Sequence, residues 1–234
     1  MAKALSEVMA KLEAEGNLHA RNTYGRHGAT GPMFGVRTSK LSRMARDYGP
    51  DQELADALWA TGNVDARLLA AKVADHEAIT AARLEAWVED CDWYMLVDGF
   101  VADCAARTRH VRALAEQWRG SEAEYRGRAG WSLVAHLARQ GEVGGALFET
   151  CLDEIAAGIH AAANRKREAM NAALIAIGGH RAGLRERAVA VAEAVGAVEV
   201  DHGETGMVTP DARAYLEQMA RYANRRSGDG GAAR

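Results

Sequence analysis

Only three prolines interrupt 234 residues, and between them alanine, leucine and charged helix formers run with apolar residues at helical spacing. Such a chain has few points at which a helix must stop. β-Branched residues never gather into alternating runs, and aromatics make up only 6% of residues, so a sheet is not expected. The fold class read from this pattern is all-α.

The stops divide the chain. A first helix is predicted over Leu5–Glu15, with Gly16 ending it. Asn17 to Gly35 holds four glycines and Pro32 and reads as a loop or a broken helix. Thr38 or Ser39 can cap a short helix from Lys40 to Arg46, which stops at Tyr48-Gly49-Pro50. From residue 51, helix pairs follow: Gln52–Thr61 with Val64–Asp75, Ala78–Asp90 with Asp92–Arg107, His110–Arg119 with Glu122–Arg139, and Gly145–Ala163 with Lys166–Gly178. Gly183–Val195 is a further helix. Pairs recur roughly every 30–40 residues, the spacing of HEAT-like or armadillo-like α-solenoids, in which stacked antiparallel pairs build a concave face.

The expected organisation is one domain over 1–223. It comprises N-terminal helices and a loop (1–50), the helix pairs (51–196), and a turn and final helix opened by Pro210 and Asp211 (197–223). Residues 224–234, rich in glycine, alanine and arginine, read as a disordered tail.

A net charge of −3 is not that of a nucleic-acid binder taken as a whole, although a basic face can be offset by an acidic one. Three cysteines, Cys91, Cys104 and Cys151, form no CxxC pair, which points to buried thiols in a reducing compartment. No apolar stretch reaches the roughly 18 residues needed to span a bilayer, and a cytoplasmic protein without a membrane partner is expected. Asp201-His202-Gly203-Glu204, with Asp211 nearby, reads as a hydrogen-bonded turn rather than a metal site, and no H-E-x-x-H, phosphate loop or G-x-S-x-G is present. Neither metal nor cofactor is expected.

The segment Asp92-Trp93-Tyr94-Met95-Leu96-Val97-Asp98 carries the main candidate chemistry. Tyr94 and Asp98, four apart on a helix, share a face. An aromatic plate of Trp93 and Tyr94 beside a carboxylate suits a sugar or a cationic base. The plain alternative makes Trp93 a core residue and Asp98 an ion-pair partner. Basic clusters include Arg37 and Lys40, Arg126 and Arg128, and Arg165-Lys166-Arg167. They either track a phosphate backbone or complement helix C-termini.

Several of these stretches together resemble the AlkD-like DNA alkylation repair proteins of the HEAT-like DNA glycosylase superfamily. Tyr24 with Phe34-Gly35-Val36-Arg37-Thr38-Ser39-Lys40-Leu41 is similar to the family's "YGVR-x-x-x-L" opening. Trp93 to Asp98 resembles its "WW-x-x-VD" helix, and Glu124 to Trp131 its "W-x-R-R-x-A" helix. Arg167 to Gly178, Val198 to Thr205 and Thr209 to Ala212 resemble a branch reading "AMNNALIAIG" and "VEVDHGET…TPDA".

The resemblance implies excision of cationic N3- or N7-alkylated purines from duplex DNA. It puts Asp98 on the catalytic carboxylate, Tyr94 on a stacking aromatic and Arg128 on a phosphate contact. A purine already carrying positive charge leaves without a general acid, so a carboxylate that stabilises the oxocarbenium-like sugar suffices. Two residues depart from the active pattern: Tyr94 replaces one tryptophan and Ala172 another. Each lost indole removes about 1–3 kcal/mol of base stacking. The second reading is therefore a HEAT-like module that binds a protein or a nucleic-acid structure without catalysis.

Overall fold

A computed structural model describes residues 2–141 and 144–229. Every regular element among them is helical: α1 Ala2–Glu15, α2 Leu18–Arg26, α3 Thr38–Tyr48, α4 Gln52–Ala60, α5 Val64–Val73, α6 Ala81–Glu89, α7 Tyr94–Asp103, α8 Val111–Trp118, α9 Glu124–Gln140, α10 Gly145–Gly158, α11 Asn164–His180, α12 Arg185–Val195 and α13 Ala212–Asp229, with short 3₁₀ turns at Ala105–Arg107 and Ala182–Leu184.

Local chemistry explains most boundaries. Asp51 caps α4 by accepting from Leu54 N, Asn63 caps α5 by accepting from Asp65 N and Ala66 N, and Thr80 caps α6 by accepting from Arg83 N. Each cap satisfies amides that have no partner inside the helix. Cys104 leaves helical geometry at φ −129°, which ends α7 at Asp103 rather than carrying it to Arg107.

Other boundaries differ from the sequence expectation as well: α1 begins at Ala2 rather than Leu5, and α6 at Ala81, behind its cap Thr80, rather than at Ala78. Much of the segment read as loop or broken helix is α2, because Asn17 caps it and Ala20 and Tyr24 bury its inner face. Burial of a stripe outweighs the low helix propensity of Gly25. Helix α3 begins at Thr38 behind Arg37, without a side-chain cap. Helix α10 stops at Gly158, where the amides of Ala161 and Ala162 turn back onto its carbonyl. Helix α13, capped by Asp211 through Ala214 N, passes the expected end near Tyr222 and runs to Asp229. The rest of the expected disordered tail, residues 230–234, lies outside the described residues.

By contact, the chain divides into two compact units, Met1–Gln117 with His202–Met207, and Trp118–Asp201 with Val208–Arg234. In the first, α5 packs between α3 and α7, and α4 lies against α5 and α1. Trp59 and Trp87 stack with ring centroids 4.3 Å apart, and Phe100 meets them edgewise. The Trp59 N–H donates to Asp90 at 2.9 Å, so the polar end of the buried indole is satisfied.

In the second unit, α9 packs on α11, α11 on α13 and α10 on α12, so alternate helices stack in layers. The main partner of α11 is α9 rather than α10, its neighbour in sequence. Ala135 and Ala138 of α9, with Ala169, Ala173 and Ala176 of α11, are buried small residues that permit this close approach.

Candidate functional site

The platform for the first unit's site is a buried carboxylate. Asp65, at the start of α5, is 0% exposed and accepts from the backbone N–H groups of Phe34 (2.6 Å), Gly35 (3.0 Å) and Val36 (2.7 Å). Three charge-assisted bonds and a helix N-terminus hold that charge in the interior. Gly35 adopts φ +82°, and a Cβ there would meet Arg21 N and Asn17 O at 2.6 Å. This pins the strip 34–36 that leads into α3. The Tyr24 hydroxyl donates to Val36 O at 2.6 Å, and burial pushes its phenol up from the ordinary range.

On this platform sits the start of α7. Trp93 is 1% exposed, its N–H donates to His27 O at 2.8 Å, and its ring lies 5.1 Å from that of Tyr24. It is a core side chain. Tyr94 and Asp98 line one pocket of about 430 Å³, as their helical spacing requires, together with Leu68, Met95, Lys72 and Met207. Tyr94 itself is only 5% exposed. Its hydroxyl shares a hydrogen bond with His27 Nδ1 and lies 3.5 Å from the Met207 sulfur. Lys72 is held by Asp103 at 2.6 Å, and His76 Nε2 lies 2.9 Å from the Asp103 carbonyl oxygen. The pocket is chiefly apolar, with the half-buried Asp98 carboxylate on its wall.

The expected basic contacts are of several kinds. Arg37 is exposed. Lys40 pairs with Glu15, which also meets Arg43 at 3.3 Å. The hydrogen bond from Lys40 holds the Glu15 carboxyl below its usual range.

In the second unit, Arg128 is buried, donating to Glu168 at 2.8 Å and to Arg165 O at 3.1 Å. Arg165 also pairs with Glu168, at 3.1 Å. Arg167 donates to Ala162 O and Glu199 O. Arg126, on the first turn of α9, is half-buried. Arg181 reaches Leu137 O and Gly141 O at the end of α9, and Arg185 reaches Gly178 O and Gly179 O in α11. These last four contacts complement helix C-termini. Arg128 and Arg167 are likewise engaged within the protein.

Ala172 is exposed beside a cavity of about 310 Å³ that Asn171, Pro210 and Tyr215 also line. Asn171 donates to Pro210 O at 2.9 Å. The Asp201 backbone forms reciprocal bonds with the Asn164 amide, and Thr205 Oγ1 donates to His202 O. A bend falls at Glu204-Thr205, and among the described residues no cluster of three His, Cys, Asp or Glu is placed to hold a metal. No described helix is long and apolar enough to cross a membrane.

Sequence reasoning missed Asp65, His27 and Met207. Each works across a long separation: Asp65 lies about 30 residues from its partners, and Met207 is 113 residues from Tyr94. No local spacing announces such contacts.

The chain resembles two uncharacterized proteins. It is 25% identical to Lin0241 of Listeria innocua over 225 residues (93% of this chain, 98% of that protein), and 26% identical to Lmo0209 of Listeria monocytogenes over 219 residues (91% and 95%). A solved structure from a new family of proteins related to the HEAT-like repeat DNA glycosylases, with affinity for branched DNA structures, matches with a TM-score of 0.86 and 28% identity over 94% of both chains. The HEAT-like helical fold expected from the sequence is therefore the fold of this chain. The model of the DNA alkylation repair enzymes matches residues 8–224, and the chain belongs to that family.

Proposed function

We propose that this protein binds branched or distorted DNA in alkylation repair, recognising shape and phosphate charge, and does not itself excise bases. The carrying observation is the state of the aromatic pair. Trp93 is in the core, and Tyr94 is 5% exposed with its hydroxyl engaged. Base excision of the kind the resemblance implies relies on rings that stack against the lesion. Here the second indole position is the exposed methyl of Ala172. A relative of the same fold has affinity for branched DNA structures, which supports the binding half of the reading.

Binding of a labelled four-way junction and of a linear duplex of equal length, measured by fluorescence anisotropy, tests it. The junction binds more tightly, and affinity for both falls as salt rises through release of counterions. Equal affinity for the two, or no binding to either, overturns the proposal.

A second reading has one observation in its favour. Asp98 lines a pocket of about 430 Å³ beside Tyr94, a setting in which a carboxylate can stabilise a cationic sugar. Under it, the protein releases N3- or N7-methylpurines, and Asp98→Asn abolishes release.

A further inference from the structure

Of the candidate cations in the first unit, Arg37 is exposed and Lys40 is paired with Glu15. Between Glu15 and Asp47 the sequence contains no acidic residue and six cations, Arg21, Arg26, Arg37, Lys40, Arg43 and Arg46. Glu15 engages Lys40 and Arg43. Arg21 and Arg26, both exposed, flank the outer side of α2, whose inner side buries Ala20 and Tyr24. The Arg26 guanidinium makes a long 3.5 Å contact to Thr23 Oγ1.

At 3.6 residues per turn, these two arginines are about 140° apart around the helix, on either side of Asn22 and Gly25. Along the axis they are separated by about 7.5 Å, comparable to two nucleotide steps of a strand. Asn22 and Gly25, with the arginines and with Thr30 and Met33, line a shallow hollow of about 450 Å³. No acidic side chain lines it among the described residues.

Gly25 supplies an independent observation. A glycine inside a helix weakens it relative to alanine, so packing usually explains its presence. Packing does not explain this one, since an added Cβ would meet nothing within 4 Å. A bare helix surface flanked by guanidinium groups allows a polyanionic strand to approach the backbone closely.

We infer that the outer face of α2 is a phosphate-backbone contact surface for DNA, with Arg21 and Arg26 as the phosphate ligands and Gly25 as the floor between them. This rests on the DNA-binding reading and gives it a location. Leu18, 70% exposed, lies on the same face, one and two turns before Asn22 and Gly25, and extends it with an apolar contact.

The test measures binding of a fluorescein-labelled four-way junction across a salt series by wild type, the double variant Arg21→Glu/Arg26→Glu, and Gly25→Leu. Thermal melts serve as the folding control. The charge-reversal variant loses at least tenfold in affinity, and its salt slope falls by about 2, one for each lost phosphate contact. Gly25→Leu melts at or above the wild-type temperature because the space is open, yet binds more weakly because the floor is raised. Wild-type binding with both variants unchanged overturns this surface and leaves the DNA-binding reading standing. Absence of wild-type binding overturns both.

Discussion

The Tyr94 hydroxyl shares a hydrogen bond with His27 Nδ1, joining the first turn of α7 to the turn that follows α2. The same His27 receives the Trp93 N–H on its backbone oxygen, so one residue holds both aromatics of the pair. Rings fixed in this way pack the interior.

Trp93→Phe keeps most of the buried ring but leaves the His27 carbonyl without its donor. The expected cost is roughly 2 kcal/mol from the lost bond and lost volume. Urea denaturation reads this directly. DNA affinity per folded molecule is unchanged, because Trp93 presents no surface to a ligand.

Asp65→Ala strands three amides at Phe34, Gly35 and Val36. Loss of these bonds is expected to cost about 3 kcal/mol or more, seen as a lower denaturation midpoint. Gly35→Ala reaches a similar result by a different route. It places a Cβ at φ +82° and 2.6 Å from two backbone atoms, whereas Gly25→Ala has open space and is neutral or stabilising.

Arg128→Ala is expected to destabilise by about 3 kcal/mol, since Glu168, in a mostly buried setting, loses its contact at 2.8 Å while Arg165 stays at 3.1 Å. The slope of DNA affinity against salt stays at its wild-type value. A fall in slope without loss of stability would instead make Arg128 a phosphate ligand.

Burial raises the Cys104 thiol from 9.0 to about 12 and moves the Cys91 thiol in the same direction. The folded state favours the neutral thiol. Its contribution is complete below about pH 9, where the unfolded thiol is also protonated, and is lost as pH rises from there toward 12. Melting temperature should therefore decline above pH 9. At pH 8 the native cysteines, all buried, should resist a thiol reagent until denaturant is added.

The helices were legible because their apolar stripes and stops are local: Gly16, Gly49-Pro50 and Thr61-Gly62-Asn63 fall where α1, α3 and α4 end, although the cap at Thr80 was missed and α6 begins at Ala81 rather than Ala78. The shared face of Tyr94 and Asp98 was legible for the same reason, since a spacing of four residues fixes it. Depth was not legible. A helical period shows that Trp93 and Arg128 lie on some face, but only partners from distant segments decide that the face is inward. Asp65 resembles an ordinary N-terminal acid of a helix until the strip 34–36 folds over it. Helix α2 was obscured by Gly25, whose low propensity is overridden by the burial of Tyr24.

The central claim, binding without excision, is tested most directly by incubating N-methylated duplex DNA with excess protein and measuring free methylpurines by chromatography, beside a glycosylase that releases them. No N3-methyladenine or N7-methylguanine above the protein-free control is expected, for wild type and Asp98→Asn alike. Release by wild type that Asp98→Asn abolishes would contradict it and make Asp98 the catalytic carboxylate.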